Sequence, residues 1–206
     1  MRSAARRSSR WPAPVEARAV TALQPFAARR GRIALRPLGD ADAADLLAIF
    51  GDAQVMSYWS GAPWTSTDQA LRLLAADRAA AATGSALRLG ITLADSGAVL
   101  GTVSLFNRSE SNRRAEIGYA LARRAWGQGL MHEALGLWLD WAFGPLGLHR
   151  LEADVDPANA ASRRCLERLG FRLEGVLRER WIVSGQVADT ALYGLLAREW
   201  PARPAD

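Results

Sequence analysis

Two short stretches of this chain carry residue types that could do chemistry: a glycine-punctuated turn that suits a phosphorylated ligand, and a polar turn that opens a helix. The first is Arg124-Ala-Trp-Gly127-Gln-Gly129-Leu130, between an apolar strand pattern over 115–121 and a strongly apolar helix pattern over 127–143. Glycines let a backbone approach a ligand closely, and the amides that open a helix have no intrahelical acceptor. Consecutive N–H groups there suit a phosphate or pyrophosphate. The turn matches neither Gly-x₄-Gly-Lys-Ser/Thr nor Gly-x-Gly-x-x-Gly, and alone it equally fits a tight strand-to-helix connection. The second stretch runs from Asp154 through Asn159, Ser162 and Cys165 to Leu169-Gly170-Phe171. It reads as a strand, a polar turn and a helix, with Asn159 at a favoured cap position and Gly170 closing the end.

Carboxylates that suit a general base lie on the flanking strand patterns: Glu116 on the earlier one, Glu152 and Asp154 on one face of the later one. Each also fits an ordinary sheet carboxylate paired with an arginine. Cys165 has no histidine at a matching position and reads as a small core residue. His132 and His149 lack metal-ligand spacing, so no metal site is expected. Tyr58, Trp59 and Trp64 crowd a polar connection and fit either the wall of a binding site or a cap over the core.

The elements that must position these residues follow from periodicity. Alternation marks strands at 33–38, 87–93, 99–106, 115–121 and 149–155, and a closing hairpin at 173–183 and 187–196. Helical patterns cover 40–50, with Asp40 as a cap, then 65–82, 127–143 and 159–169. Helices follow strands in the middle and a hairpin closes the chain, so a mixed α/β sheet flanked by helices is expected. Trp138 and Trp141 are expected to pack on that sheet.

Composition excludes other classes. Of 206 residues one is cysteine, which rules out a disulfide scaffold and fits a reducing, cytoplasmic setting. No apolar run is long enough to cross a bilayer, so no membrane partner is expected. The net charge of +5 resides in the first 32 residues, with eight arginines against one glutamate. The other 174 residues carry 18 basic against 20 acidic side chains, which argues against a nucleic-acid-binding face. Residues 1–32 are expected to be a disordered Arg-rich extension, 33–201 the domain and 202–206 a tail.

Arg-x-x-Gly-x-Gly, followed 35 residues later by Asn-x-x-Ser and a Leu-Gly-Phe helix end, resembles the GNAT acetyltransferase superfamily. The closing phrases Leu-Glu-Gly-Val-Leu-Arg-Glu and Leu-Tyr-Gly-Leu-Leu-x-x-Glu-Trp resemble its RimJ/RimL branch, the ribosomal-protein N-terminal acetyltransferases. The resemblance implies a mostly antiparallel sheet splayed between its fourth and fifth strands, with acetyl-CoA in the split. It implies that Ile117, Gly118 and Tyr119 hold the pantetheine arm as an added strand. Arg124 and the amides from Ala125 through Trp126, Gly127, Gln128 and Gly129 to Leu130 would take the pyrophosphate. Asn159 would contact the pantetheine and Ser162 the thioester sulfur.

The family's reaction is direct attack of an amine on the thioester. Where many members carry a tyrosine proton donor this chain has Leu166, which leaves Ser162 as first candidate and Tyr119 as second. Another member of the branch has a glutamate where this chain has Trp181. The base therefore stays open among Asp154, Glu152, Glu116, the nearby Glu179 and a water chain. The family's acceptor site borders the connection holding Tyr58, Trp59 and Trp64. The implied acceptor is a protein N-terminal α-amine, such as that of a ribosomal protein. A small amine, or an acyl-CoA-binding protein without turnover, are the alternatives. A monomer or homodimer fits each.

Overall fold

A computed structural model describes residues 21–183 and 185–201. Eight strands form one sheet: β1 (Ala28–Arg30), β2 (Ile33–Arg36), β3 (Leu87–Leu93), β4 (Val99–Ser109), β5 (Arg114–Leu121), β6 (Arg150–Val155), β7 (Arg172–Val183) and β8 (Gln186–Leu196). Their spatial order is β1-β2-β3-β4-β5-β6-β8-β7. Every pair is antiparallel except β5 with β6. Four helices flank the sheet: α1 (Ala43–Phe50), α2 (Thr67–Thr83), α3 (Leu130–Phe143) and α4 (Ala160–Arg168).

The parallel pair is the irregular one. β5 pairs with β4 from Arg114 to Leu121, in unbroken register from Glu116 onward, and β6 with β8 from Arg150 to Val155. Yet β5 and β6 pair only at Arg114↔Arg150, Ala115↔Leu151 and Glu116↔Glu152. From Ile117 onward the two strands diverge, which is the expected splay. Alternation assigns their two faces: Ile117, Leu121, Leu151, Ala153 and Val155 join the large core with α3 and α4, whereas Ala120 joins a smaller core with α1 and α2. Leu135, Trp138 and Leu139 of α3 are fully buried in the large core. Burial on that scale is worth about 2 kcal/mol per large side chain.

Three boundaries differ from expectation. The ordered domain starts before residue 33: Leu23 is buried, Phe26 stacks on Trp138 and Trp141, and Ala28–Arg30 pair with β2. Ala-Arg-Arg has no apolar alternation, so only its partner strand makes it a strand. Residues 1–20 of the expected extension, and the tail 202–206, lie outside the described residues. Asp40 opens a short 3₁₀ turn, and α1 starts at Ala43. Asp42 accepts the Gly39 amide at 2.8 Å and a two-pronged bond from Arg36 at 2.7 and 2.9 Å. Those bonds hold its carboxyl below the ordinary carboxylate range. Finally, α3 starts at Leu130 and not at Gly127, because Gly127 and Gly129 have φ of +73° and +78°.

Candidate active site

The turn between β5 and α3 is built to leave amides free. Ala125 N donates to Ala122 O at 2.8 Å and Trp126 N to Arg123 O at 3.1 Å, closing a 3₁₀ turn. The Trp126 indole locks it by donating to Leu121 O at 2.7 Å. Two of the expected phosphate-binding amides, Ala125 and Trp126, are thus consumed by the turn itself. Those of Gly127, Gln128 and Gly129 find no backbone acceptor among the described residues, and that of Leu130 opens a 14-residue helix whose cap, Gly129, has no side chain. These amides lie at the positive end of the helix dipole, the environment an anion seeks. Arg32, in the turn between β1 and β2, secures this connection by donating to Gln128 O at 3.0 Å and pairing with Glu133 one turn into α3. Gln128 donates its side-chain amide to Arg124 O at 3.0 Å. Arg124 itself reaches back to Val99 O at 3.4 Å and does not line the cavity described next.

Beside this turn the splay opens a cavity of about 630 Å³. Tyr119, Ala120 and Leu121 of β5 form one wall, Gly127, Gly129 and Leu130 another, and Asn159, Ser162, Arg164, Cys165 and Arg168 a third. Ile117 and Gly118 sit just before the lining residues, on the stretch where β5 leaves β6. Asn159 Oδ1 accepts the Ser162 amide at 3.0 Å as helix cap, which leaves its Nδ2 donors for the cavity. The free amides, the open strand edge and this asparagine together suit a long ligand with a pyrophosphate and an amide-bearing arm.

The two hydroxyls considered for proton transfer meet: Tyr119 OH and Ser162 Oγ are 2.7 Å apart, both in the cavity. Loss of solvation pushes the Tyr119 phenol well above its ordinary value, a shift that the Ser162 bond only partly offsets. It is held as a neutral donor. Burial likewise raises the Cys165 thiol, against a smaller opposing effect of Arg168, so it stays protonated and is no ready nucleophile.

The carboxylates separate clearly. Glu152 accepts from Arg114 at 2.9 Å and from Arg150 at 2.7 Å. Asp154 is held by Thr190, by Arg180 at 3.3 Å and by the Trp181 indole at 3.5 Å, and it does not line the cavity. Glu179 is exposed at a bulge of β7, with φ of +55° and its amide given to Asp189 at 2.8 Å. Glu116 is half-buried at the last β5–β6 pair, and no arginine claims it among the described residues. It lies outside the cavity lining, one residue before the splay.

The aromatic connection divides too. Tyr58 and Trp59 line the cavity with Gln54 and Val55. Trp64 does not: its ring lies 4.7 Å from that of Phe50 and its amide donates to Phe50 O at 2.9 Å, so it caps the smaller core. Sequence reasoning missed Arg32, Gln54, Val55, Arg164 and Arg168. For the last two a signal exists, since Ala161, Arg164, Cys165 and Arg168 form one stripe of α4 at helical spacing. Among the described residues no three His, Cys, Asp or Glu side chains group to hold a metal ion, and no helix is long and apolar enough to cross a membrane.

Comparison with known proteins agrees with this geometry. The model of the acetyltransferase (GNAT) domain family matches residues 32–172. An uncharacterised N-acetyltransferase of Bacillus licheniformis, p20, is 34% identical over 169 residues, spanning 82% of this chain and 95% of that protein. The Escherichia coli K12 enzyme named [ribosomal protein uS5]-alanine N-acetyltransferase is 30% identical over 118 residues, covering 57% of this chain and 61% of that enzyme. Among solved structures, Mycobacterium smegmatis RimJ in complex with CoA-disulfide superposes with a TM-score of 0.75 at 31% identity, covering 82% of this chain and 84% of that one.

Proposed function

The chain belongs to the GNAT acetyltransferase family, enzymes that transfer acetyl groups from acetyl-CoA, and we propose that its acceptor is the N-terminal α-amine of a cytoplasmic protein such as a ribosomal protein. The observation that carries this choice is the cavity lining. Among the described residues, no carboxylate lines the cavity, and its acceptor side offers Gln54, Val55, Tyr58 and Trp59. A polyamine brings several ammonium groups that call for several carboxylates. A peptide end brings one amine and a first side chain that fits against aromatic rings. The uS5-alanine acetyltransferase among the relatives supports the same choice.

The chain's own groups then have distinct tasks. The Gly127–Leu130 amides hold the pyrophosphate of acetyl-CoA, and the β5 edge from Ile117 with Asn159 holds its amide-bearing arm. Glu116, the half-buried one of the two nominated carboxylates that no arginine claims among the described residues, takes the proton from the incoming ammonium through water. The amine nitrogen bonds to the acetyl carbon as the carbon–sulfur bond breaks; the departing thiolate receives a proton from the Tyr119–Ser162 pair, and the nitrogen's second proton passes back to that pair through water, leaving a neutral amide and a free thiol. Both hydroxyls are neutral donors at neutral pH, which is the form the step requires.

The test is turnover on a panel holding N-terminal peptides of ribosomal proteins, spermidine, amino sugars and free amino acids. The reading expects kcat/KM for at least one peptide to exceed every small amine about tenfold or more. Preference for a small amine would overturn the acceptor. Tight acetyl-CoA binding with no turnover on any amine would indicate a protein that holds the cofactor without transferring from it.

A further inference from the structure

The hairpin turn between β1 and β2 is tied to helix α3 at two points. Arg30 donates to Asp140 at 2.6 Å, and Asp140 also accepts the Trp200 indole at 2.7 Å. Arg32 pairs with Glu133 in the first turn of the helix and donates to Gln128 O at 3.0 Å. The backbone of Arg32 is held as well, since its carbonyl accepts the Ala94 amide at 2.9 Å. Gly31, at φ of +54°, makes the two-residue turn that delivers Arg32 to this place. Arg32 does not line the cavity, whereas Gly129, the residue that follows its carbonyl acceptor, does.

An arginine whose side chain is 58% accessible gains little stability from an ion pair, so the worth of Arg32 lies in the carbonyl it grips. A trans peptide is planar, with its C=O and N–H pointing opposite ways. Gripping Gln128 O from outside the cavity therefore turns the N–H of the same peptide, that of Gly129, toward it. This amide finds no backbone acceptor among the described residues. Glycine adopts either sign of φ at little cost, so a peptide that precedes glycine can flip and present its carbonyl instead. A carbonyl oxygen there would repel the pyrophosphate that the amide binds.

We propose that Arg32 is a positioning residue for acetyl-CoA: it fixes the Gln128–Gly129 peptide with the N–H facing the pyrophosphate, and Glu133 fixes Arg32. The proposal rests on the acetyl-CoA reading of the cavity. Arg32 acts through direction and not through charge, because Glu133 cancels its charge where it stands. The two modes differ in sign. Removing Glu133 bares a positive charge beside the turn, which would tighten the binding of an anion; it also releases Arg32, which lets the peptide flip and weakens that binding.

The experiment is calorimetric titration of the full chain with acetyl-CoA, and by competition with acetyl-pantetheine, which carries the arm but no pyrophosphate. Arg32→Ala should lose about tenfold for acetyl-CoA, the worth of one charge-assisted hydrogen bond, and less than about twofold for acetyl-pantetheine. Its Tm should move by less than about 2 °C, since the pair is exposed. Glu133→Ala should lose about threefold for acetyl-CoA, and the double variant should match Arg32→Ala, because Glu133 acts through Arg32. Arg32→Lys keeps the charge without the planar fork and should stay about fivefold weaker than wild type. Acetyl-CoA affinity within twofold of wild type in Arg32→Ala, equal losses for both ligands, tighter binding in Glu133→Ala, or full recovery in Arg32→Lys would each overturn the proposal. Failure of the wild type to bind acetyl-CoA would instead overturn the reading beneath it.

Discussion

The two sides of the cavity are made in different ways. The side proposed for the cofactor is mostly backbone: amides of Gly127 to Leu130, the β5 edge left open by the splay, and one capping asparagine. The side proposed for the acceptor is mostly side chain: Gln54, Val55, Tyr58 and Trp59, carried on the connection between α1 and α2. Backbone sites demand particular φ values and helix starts, and few residue types satisfy them. Side-chain walls demand only shape and polarity, which many sequences provide. Hence the cofactor side declares a chemistry and the acceptor side merely permits one.

The sharpest way to break this contrast is to put a side chain where the backbone binds. Gly129→Val places a β-branched residue at φ of +78° at the cap of α3, so acetyl-CoA affinity should fall about a hundredfold by calorimetry, with far-ultraviolet circular dichroism unchanged. Binding within threefold of wild type would remove the backbone cradle from the account. Next in size is the hydroxyl pair. Tyr119→Phe and Ser162→Ala should each lower kcat about a hundredfold while the acetyl-CoA Kd moves less than threefold, and the double variant should be little worse than the poorer single one. Additive losses would mean that the two hydroxyls act separately.

The acceptor side should respond more mildly and should divide in two. Tyr58→Ala should raise the acceptor KM several-fold with Tm unchanged, since the ring lines the cavity and is exposed. Trp64→Ala should leave KM unchanged and cost about 2–3 kcal/mol in chemical denaturation, because it removes a partner of Phe50. The smallest effect is in acid. Arg36 and the Gly39 amide depress the Asp42 carboxyl in the folded state. A depressed carboxyl gives stability that is present above the unfolded pKa, about 3.9, and is lost as pH falls through the folded value. Asp42→Asn should therefore flatten the acid limb of the stability curve below about pH 4, where an unchanged limb would show that the pair contributes nothing.

How much could be read from sequence follows the same division. Gly127, Gly129, Asn159 and the strand alternation around Tyr119 were legible because local geometry needs those residues at those spacings. The splay was legible only through family resemblance, since Ile117 and Val155 alternate like any paired strand. The misplacements have non-local causes. Asp154 read as a base candidate because its holders, Arg180, Trp181 and Thr190, lie on β7 and β8, far along the chain. Trp64 stayed open between cavity wall and core cap because nothing nearby in sequence announces Phe50. β1 was invisible because Ala-Arg-Arg becomes a strand only through β2.

The central claim is that the splay beside the Gly127–Leu130 turn holds acetyl-CoA. Calorimetric titration of the wild-type chain with acetyl-CoA, with ATP and NADH as controls, tests it most directly. The account predicts one site that binds acetyl-CoA and neither control. No heat with acetyl-CoA, or equal binding of ATP, would contradict it.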